Sequence, residues 1–310
     1  MWYNMTVWLA MLSYFFKEMG VLSGKLKGAV CLTLAASIWG GLFLAVRLVV
    51  GAVEAVPLVW MRYVLAAVAV YILGCYRHVS WRIERKDWKL VLWVGLIGQT
   101  LSIVTQESGT LLTSAQTGAT ITAATTPFMA VFGWWILKEK MTWARALSIV
   151  LATIGVLCIV YNPENFQVNV LGGFCLFVAA WTWALMAVFL KLLDHYSPIV
   201  LTFYGILVAI VCLAPYSIWW LACEADYSLL LTPVVMLSIG YMGIVSTTGG
   251  FVLWNEGLLY MDAAIAGLFL FFQPVVGTIL GWLILGEPIT VWFLAGSAMI
   301  AVGVLMAMKK

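Results

Sequence analysis

Charge is scarce in this sequence. Lys, Arg, Asp and Glu together make up 9% of the 310 residues, whereas hydrophobic residues make up 65%. Soluble domains carry about a quarter charged residues, so these charges are too few to cover a water-exposed surface of this size. Cytosolic enzymes, nucleic-acid-binding proteins and disordered scaffolds are therefore excluded. The sequence predicts an integral membrane protein.

Motifs for catalysis and metal binding are also missing. The sequence has no GxxxxGK phosphate loop, no HExxH motif and no CxxC spacing among its six cysteines. Its two histidines, His78 and His195, both fall in predicted connections. ATP hydrolysis by this chain is thereby excluded as an energy source, and we expect no enzyme activity, cofactor, metal site or disulfide framework.

Long apolar runs dominate what is present. They are continuous and lack the period-2 alternation of barrel strands, so they predict transmembrane helices. Ten spans are predicted, at 27–47, 57–76, 90–108, 114–137, 143–160, 170–190, 198–220, 233–254, 263–285 and 290–308. Residues 1–24 form an N-terminal extension whose apolar run, 5–16, is too short to span; it is either an interfacial segment or an over-extended start.

Basic residues are concentrated in alternate connections. Fourteen of the 16 Lys and Arg residues lie in the two terminal segments or in the second, fourth and sixth connections. The opposite connections contain none, and Arg47 and Arg62 lie within or at the ends of spans. Because cytoplasmic connections carry the excess of Lys and Arg, both termini are predicted to be cytoplasmic.

The chain matches itself at an offset of 148 residues. Leu137–Thr142 aligns with Leu285–Thr290, and Gly155-Val156-Leu157 aligns with Gly303-Val304-Leu305. The match predicts two repeats of five spans each, covering 25–161 and 169–310. An odd number of spans makes the second repeat enter the membrane from the other side, so the repeats are inverted, as in many transporters.

The two copies of the turn before the last helix of each repeat differ in charge. Lys138 and Lys140 of the first copy are replaced by Gly286 and Pro288 in the second. Loss of basic residues from the second copy agrees with its predicted position on the opposite side of the membrane.

Together these motifs resemble the EamA repeat of the drug/metabolite transporter superfamily. The resemblance covers 25–310 and is carried by Ile38-Trp39-Gly40-Gly41, Pro57, Arg62, Leu112–Ala115, Pro127, Leu137–Glu139, Gly155, Trp183-Ala184, Leu259–Ala264, Pro274, Leu285–Glu287 and Gly303. It implies two five-helix repeats around a central cavity and export of small metabolites or drugs across a bacterial plasma membrane. It does not identify the substrate.

Polar, aromatic and small residues form stripes on several spans. In the third span Gly95, Gln99, Ser102 and Gln106 share one helical face, and an equivalent stripe recurs in the eighth span at the repeat offset. Close helix packing explains the small residues equally well. The candidate substrate-binding residues are Trp39, Gln99, Ser102, Gln106, Gln116, Thr120, Trp183, Thr247, Trp254 and Gln273.

Two carboxylates near span ends are candidates for proton coupling. Glu107 lies near the outer end of the third span and Glu256 near the inner end of the eighth. A titrating carboxylate at a cavity mouth can couple proton movement to substrate movement, although a helix cap is the alternative. Arg62, a structural residue by the family resemblance, is placed to snorkel outward or to pair with Glu54.

Two prolines and two turn residues are candidates for structural or gating roles. Pro127 and Pro274 each remove a backbone donor in mid-span and allow a bend, which is either a gate or a static kink. Glu139 and Glu287 stand in repeat-equivalent turns and are expected to cap the helices that follow them.

The favoured function is that of a secondary active transporter that exports a small metabolite or drug-like solute by alternating access, with proton coupling as an option. A passive exchanger, a channel and an intramembrane enzyme are the alternatives. The polar segment Thr105–Ser108 favours a polar or cationic substrate. The expected partners are the lipid bilayer, a small molecule and protons but no nucleic acid, and the chain acts as a monomer or homodimer.

Overall fold

The computed structural model describes residues 23–113, 118, 121–122, 125–160, 170–280, 282–283 and 291–308. All regular structure in these residues is helical, which confirms the all-α prediction. The main helices are α1 Gly24–Leu48, α2 Ala55–Tyr76, α3 Trp88–Leu112, α4 Thr125–Ile136, α5 Trp143–Val160, α6 Val170–Leu192, α7 Pro198–Cys223, α8 Pro233–Leu258, α9 at 263–280 and α10 Val291–Met308. A one-turn helix, Tyr227–Leu230, lies between α7 and α8.

Within the described part of the chain, six helices, α1, α2, α3, α6, α7 and α8, are long and apolar enough to cross a membrane. A bilayer offers no water to backbone N–H and C=O groups, so a spanning segment must satisfy them internally as a helix. Large apolar side chains such as Leu147, Val211 and Leu237 remain exposed on the surface, as expected where the surrounding solvent is lipid. These six helices begin and end at most four residues from the predicted span limits.

Two of the long helices are not α-helical throughout. Nine residues in the middle of α3, Val94–Ser102, and nine in the middle of α8, Tyr241–Gly249, form π-helix. Threonine hydroxyls donate back to carbonyls five residues earlier in both: Thr100 to Gly95 in α3 and Thr247 to Met242 in α8. Segments of π-helix are rare and are frequently found at functional sites, and the sequence pattern did not predict them.

The helices pack in pairs across the two halves of the chain. Helix α2 packs against α7, and α5 packs against α10. Helix α1 contacts α8 and α9, while α6 contacts α3 and α4. Contacts between the halves therefore run along most of the bundle, and any space left between them is bounded by both halves.

Helix α9 changes geometry in its middle. Phe269–Phe271 form a turn of 3-10 helix, and the α-helix resumes at Phe272, two residues before Pro274. The missing N–H of Pro274 removes one hydrogen bond from this stretch. Here α9 approaches α1 closely: a Cβ added to Gly40 would lie 2.8 Å from the backbone oxygen of Gln273. The carbonyl that Pro127 would leave unpaired in the predicted bend belongs to residue 123, which lies outside the described part of the chain.

Candidate functional site

A cavity lies between the two halves of the chain. The enclosed cavity is small, about 30 Å³, and the empty space is about 410 Å³ when the part open to solvent is included. Its walls come from α1, α2 and α3, from residues just before and at the start of α4, and from α6, α8 and α9. The lining residues are Trp39, Leu42, Phe43, Arg62, Ile103, Gln106, Thr122, Thr125, Trp183, Phe251, Leu270 and Gln273.

The lining residues lie at different depths in the bundle. Those of α1, α2 and α3, such as Phe43, Arg62 and Gln106, are nearer to the end that contains the α1–α2 connection. Trp183 and Phe251 lie in the second halves of α6 and α8, nearer to the opposite end, so the cavity lies in the middle of the bundle.

A buried ion pair adjoins the cavity. Nη1 of Arg62 donates to Oε1 of Glu107 over 2.5 Å, and both side chains are only 1% exposed. Nε of Arg62 donates to the hydroxyl of Thr247 over 3.2 Å. Arg62 lines the cavity and Glu107 does not, so the guanidinium stands between the cavity and the carboxylate.

The predicted partner of Arg62 was wrong. Arg62 neither snorkels to the surface nor pairs with Glu54, because its side chain points inward from α2 to α3 and α8. Glu54 instead accepts a hydrogen bond from the Tyr216 hydroxyl at 2.7 Å. Placing a guanidinium in the interior is tolerated because its charge is neutralised and two of its nitrogens donate hydrogen bonds.

Aromatic rings form one wall of the cavity. The ring centroids of Trp39 and Trp183 are 5.2 Å apart in an edge-to-face arrangement, and Phe251 lies 5.6 Å from Trp39 and 5.3 Å from Trp183. The indole N–H of Trp39 donates to the Ser246 carbonyl over 3.1 Å, which fixes the ring orientation. The two tryptophans were predicted to bind substrate; Phe251 was not.

Gln99 and Ser102, two predicted substrate-binding residues, do not reach the cavity wall. The Gln99 side-chain oxygen accepts a hydrogen bond from the Tyr63 hydroxyl at 2.8 Å. The Ser102 hydroxyl donates to the Ala179 carbonyl of α6 over 2.9 Å. Their polar atoms are therefore used to join helices, which periodicity alone does not distinguish from cavity lining.

Thr247 and Trp254 of α8 also lie behind the wall. Thr247 accepts the hydrogen bond from Arg62 and so helps to orient the guanidinium. Trp254 is fully buried, its ring centroid is 5.4 Å from that of Trp39, and its indole N–H has no hydrogen-bond partner among the described residues. Of the remaining candidates, Gln106 and Gln273 line the cavity, whereas Gln116, Thr120 and Glu287 lie outside the described residues.

The opposite end of the bundle is held by ion pairs around the α8–α9 connection. Nζ of Lys27 in α1 lies 2.6 Å from Oε1 of Glu256, and Arg145 of α5 pairs with Asp262. Glu256, a predicted coupling residue, therefore does not line the cavity and is paired with a lysine. These contacts join α1 and α5 to residues 256–262.

Glu139 does not cap the helix that follows it, so that prediction was wrong. Its two carboxylate oxygens accept hydrogen bonds from the backbone N–H groups of Ala263 (2.8 Å) and Ala264 (3.4 Å), at the start of α9. The left-handed conformation of Lys138 (φ 57°) turns the chain sharply after α4 and directs Glu139 to α9. Burial raises the pKa of the Glu139 carboxyl, while these two N–H groups oppose the rise.

Tyr63 and Lys191 also have roles that the sequence did not predict. The Tyr63 hydroxyl holds Gln99, and Nζ of Lys191 donates to the carbonyl of Leu258, over 3.1 Å, and to that of Met261. No sequence signal marks Tyr63, but Lys191 follows Trp183 at the spacing of Arg47 after Trp39. Among the described residues no cluster of three or more His, Cys, Asp or Glu side chains forms a metal site.

The chain is similar to named transporters over most of its length. It is 27% identical over 292 residues to an uncharacterized transporter of Archaeoglobus fulgidus, an alignment that covers 92% of this chain and all of that protein. It is 31% identical over 187 residues to a probable amino-acid metabolite efflux pump of Salmonella typhimurium, covering 57% of this chain and 61% of that protein. One crystal structure shares its fold, with a TM-score of 0.74 and 19% identity over 92% of this chain and 96% of the other.

The model of the EamA-like transporter family matches residues 26–161 and 170–309. Both matches fall on the halves that wall the cavity. The chain therefore belongs to the EamA-like transporter family, as a multi-pass membrane protein that transports a small molecule and is not an enzyme.

Proposed function

We propose that this protein is a secondary active transporter that exports a small metabolite across a bacterial plasma membrane by alternating access. One observation supports the proposal above the others: the cavity lies between the two halves, while ion pairs join the helices at the end of the bundle that contains the α8–α9 connection. This arrangement is expected of one of the two states of an alternating-access cycle. The relative named as an amino-acid metabolite efflux pump supports an amino-acid-like substrate and the export direction.

We further propose that all ten numbered helices cross the membrane as two inverted repeats, 25–161 and 169–310, with both termini in the cytoplasm. The helix contacts support this, since every main contact has a counterpart when each helix is replaced by the helix five places along: α1 with α8 corresponds to α6 with α3. The π-helical segments support it independently, because they start 147 residues apart, at Val94 and Tyr241.

Residues of the cavity wall are the proposed substrate contacts. Trp39, Trp183, Gln106 and Gln273 offer aromatic faces and amide groups to a small solute. Gln99, Ser102, Thr247 and Trp254 support that wall from behind, and we propose the same neighbourhood for Gln116 and Thr120 from their positions in the sequence. Because the walls come from one chain, a monomer suffices for transport, and a homodimer would contain two independent sites.

Glu107 is the proposed coupling residue. It is the acidic group held directly behind the cavity wall, through Arg62, whereas Glu256 is engaged with Lys27 at the other end of the bundle. We propose that Glu256 and Glu139 help to close the end of the bundle that contains the α8–α9 connection. The bend of α9 at Pro274 is proposed to let the cavity wall move.

Counterflow in proteoliposomes tests the proposed transport. Thermal-shift screening with amino acids, nucleobases, quaternary amines and cationic drugs first selects a ligand, which is then used in labelled form. Saturable uptake of label into liposomes loaded with the unlabelled ligand is expected. Uptake is expected to be lost in Trp183→Ala and kept in Trp219→Ala, which alters an exposed tryptophan of α7 outside the cavity.

The same liposomes separate the alternatives. A passive exchanger would show counterflow but no accumulation driven by a pH gradient. A channel would show no counterflow and large unitary currents. Absence of both counterflow and current with every stabilising ligand would refute the proposed transport.

A further inference from the structure

Charge is unevenly distributed in the cavity wall. Among the described lining residues Arg62 is the one charged group, and the other polar groups are the amides of Gln106 and Gln273 and threonine hydroxyls. Glu107 is set behind Arg62 and away from the wall. The cavity therefore presents a cation and neutral hydrogen-bonding groups to a ligand, which favours a negatively charged ligand over a positive one.

The guanidinium of Arg62 retains donor capacity. Its Nε donates to Thr247 and its Nη1 to Glu107, while Nη2 donates no hydrogen bond within the described residues. A guanidinium has five N–H groups arranged to match the two oxygens of a carboxylate. A ligand carboxylate is the anion that this planar group and the surrounding amides fit best.

Binding a carboxylate would change the charge balance of a buried site. Arg62 and Glu107 are 1% exposed and neutralise each other. A second carboxylate at the same guanidinium would leave one uncompensated negative charge, which is costly away from water. When two carboxylates share a site, one of them takes up a proton.

Few other groups near Glu107 can provide that proton or neutralise the charge. Its charged neighbour is Arg62, and Tyr63, also on α2, is the other titratable group beside the pair. The Tyr63 hydroxyl donates to Gln99. From α8 the pair meets the Thr247 hydroxyl, and the described parts of α1 and α6 place no charged side chain against it. The proton must therefore come from water in the cavity.

We propose that the substrate is a small carboxylic acid whose carboxylate binds Arg62, and that each carboxylate bound takes up one proton, which is carried on Glu107. The proposal rests on the transport function proposed above and adds the substrate class and the sign of the proton linkage. Carboxylate and proton bind together and leave together, so they are carried in the same direction, and export is driven by the outward gradient of the acid and not by the inward proton gradient. The Trp39, Trp183 and Phe251 wall selects an apolar or aromatic body for the acid.

Matched ligands on purified protein test the substrate class. Two sets share one body each and differ in one group: phenylacetate, phenylacetamide and phenethylamine, and indole-3-acetate, indole-3-acetamide and tryptamine. Binding is followed by thermal stabilisation and by quenching of tryptophan fluorescence. In at least one set the carboxylate is expected to bind at least about tenfold more tightly than the amide and the amine. Equal or tighter binding of amide or amine, or failure of both carboxylates to bind, would overturn the proposal.

Proton uptake tests the linkage. In weakly buffered solution with a pH indicator, binding of the preferred carboxylate to wild-type protein is expected to remove about one proton per site from solution. Carboxylate binding without proton uptake would overturn the role of Glu107.

Substitutions test whether Glu107 is the residue that takes up the proton. Glu107→Gln is expected to keep carboxylate binding and lose proton uptake, while Glu54→Gln, at the start of α2 and outside the cavity, keeps both. The double variant Arg62→Met/Glu107→Gln has no buried charge left unpaired and is expected to fold but to lose its preference for carboxylate over amide. Proton uptake that persists in Glu107→Gln, or a carboxylate preference that persists in the double variant, contradicts the assignment.

Counterflow keeps this inference separate from the transport function. Counterflow of an amine or amide in preference to the acid would support the proposed transport and refute the proposed carboxylate site. Proton-linked carboxylate binding without counterflow or current would support the proposed carboxylate site and refute the proposed transport.

Discussion

The buried Arg62–Glu107 pair makes a quantitative prediction about stability. With both side chains 1% exposed, removal of one partner leaves the other charge away from water without compensation. Breaking such a pair typically costs about 3–5 kcal/mol. We therefore expect Arg62→Met to destabilise the folded protein by about that amount, and Glu107→Gln by somewhat less, because the arginine left unpaired borders the cavity and can be hydrated from there.

The double variant is expected to be much more stable than the sum of the single effects predicts. Replacing both partners removes two desolvated charges together, which is often close to neutral. The coupling free energy from the cycle should then be about 2 kcal/mol or more. Unfolding of the detergent-solubilised protein by increasing denaturant, followed by tryptophan fluorescence, measures all four proteins under one condition.

An exposed pair gives the matched control. Nζ of Lys86 and Oε2 of Glu84 are 2.8 Å apart, but the side chains are 71% and 63% exposed. Water and salt screen such a pair, so the cycle made with Lys86→Met and Glu84→Gln should show no coupling. Additive effects at Arg62 and Glu107, equal to those of the exposed pair, would refute the conclusion that the buried pair is desolvated.

Three further predictions concern helix packing and the end of the bundle that contains the α8–α9 connection. Gly40→Ala should destabilise the fold by about 1–3 kcal/mol, because the new methyl carbon would lie 2.8 Å from both the Gln273 carbonyl oxygen and Cβ of Val276. Gly240→Ala, with open space at its Cβ, should not, and thermal unfolding compares the two variants. Glu256→Gln removes the ion pair with Lys27 and should speed deuterium uptake by residues 255–262, and unchanged uptake would exclude a closing role. Because burial raises the folded-state pKa of Glu139, ionisation of its carboxyl group opposes folding. The stability of the wild type relative to Glu139→Gln should therefore rise as pH falls from neutral towards 4.5. A decrease in this relative stability over the same pH range would contradict the prediction.

Much of the fold was predictable because a membrane simplifies the problem. A run of about 20 apolar residues in lipid has helix as its stable structure, so span limits follow from composition. The family and the helical fold followed from motifs at 25–310. The π-helical segments of α3 and α8 were not predictable, since they depend on which hydroxyls and carbonyls meet after the helices pack.

The site was predictable by residue type but not by orientation. Trp39, Trp183, Gln106 and Gln273 were expected at the cavity and line it, but Gln99 turns to Tyr63 instead. A helical wheel gives the helix face on which a residue lies. It does not show which group on a neighbouring helix a long side chain on that face will contact. The same limit hid the pairing of Arg62 with Glu107, which are 45 residues apart and become adjacent through packing of α2 on α3.

The proposed repeat has one chemical asymmetry with consequences for transport. Asn255 stands 148 residues after Glu107, and its amide donates to the Thr202 hydroxyl of α7 over 2.9 Å, as Glu107 accepts from Arg62 of α2. On the proposed inverted topology these pairs occupy related places in opposite halves of the membrane, one charged and one neutral. Asn255 cannot titrate, so a proton can be bound in the half that contains Glu107 and not in the other. Proton binding would then depend on that half of the protein alone, although the solute can enter from either side of the membrane.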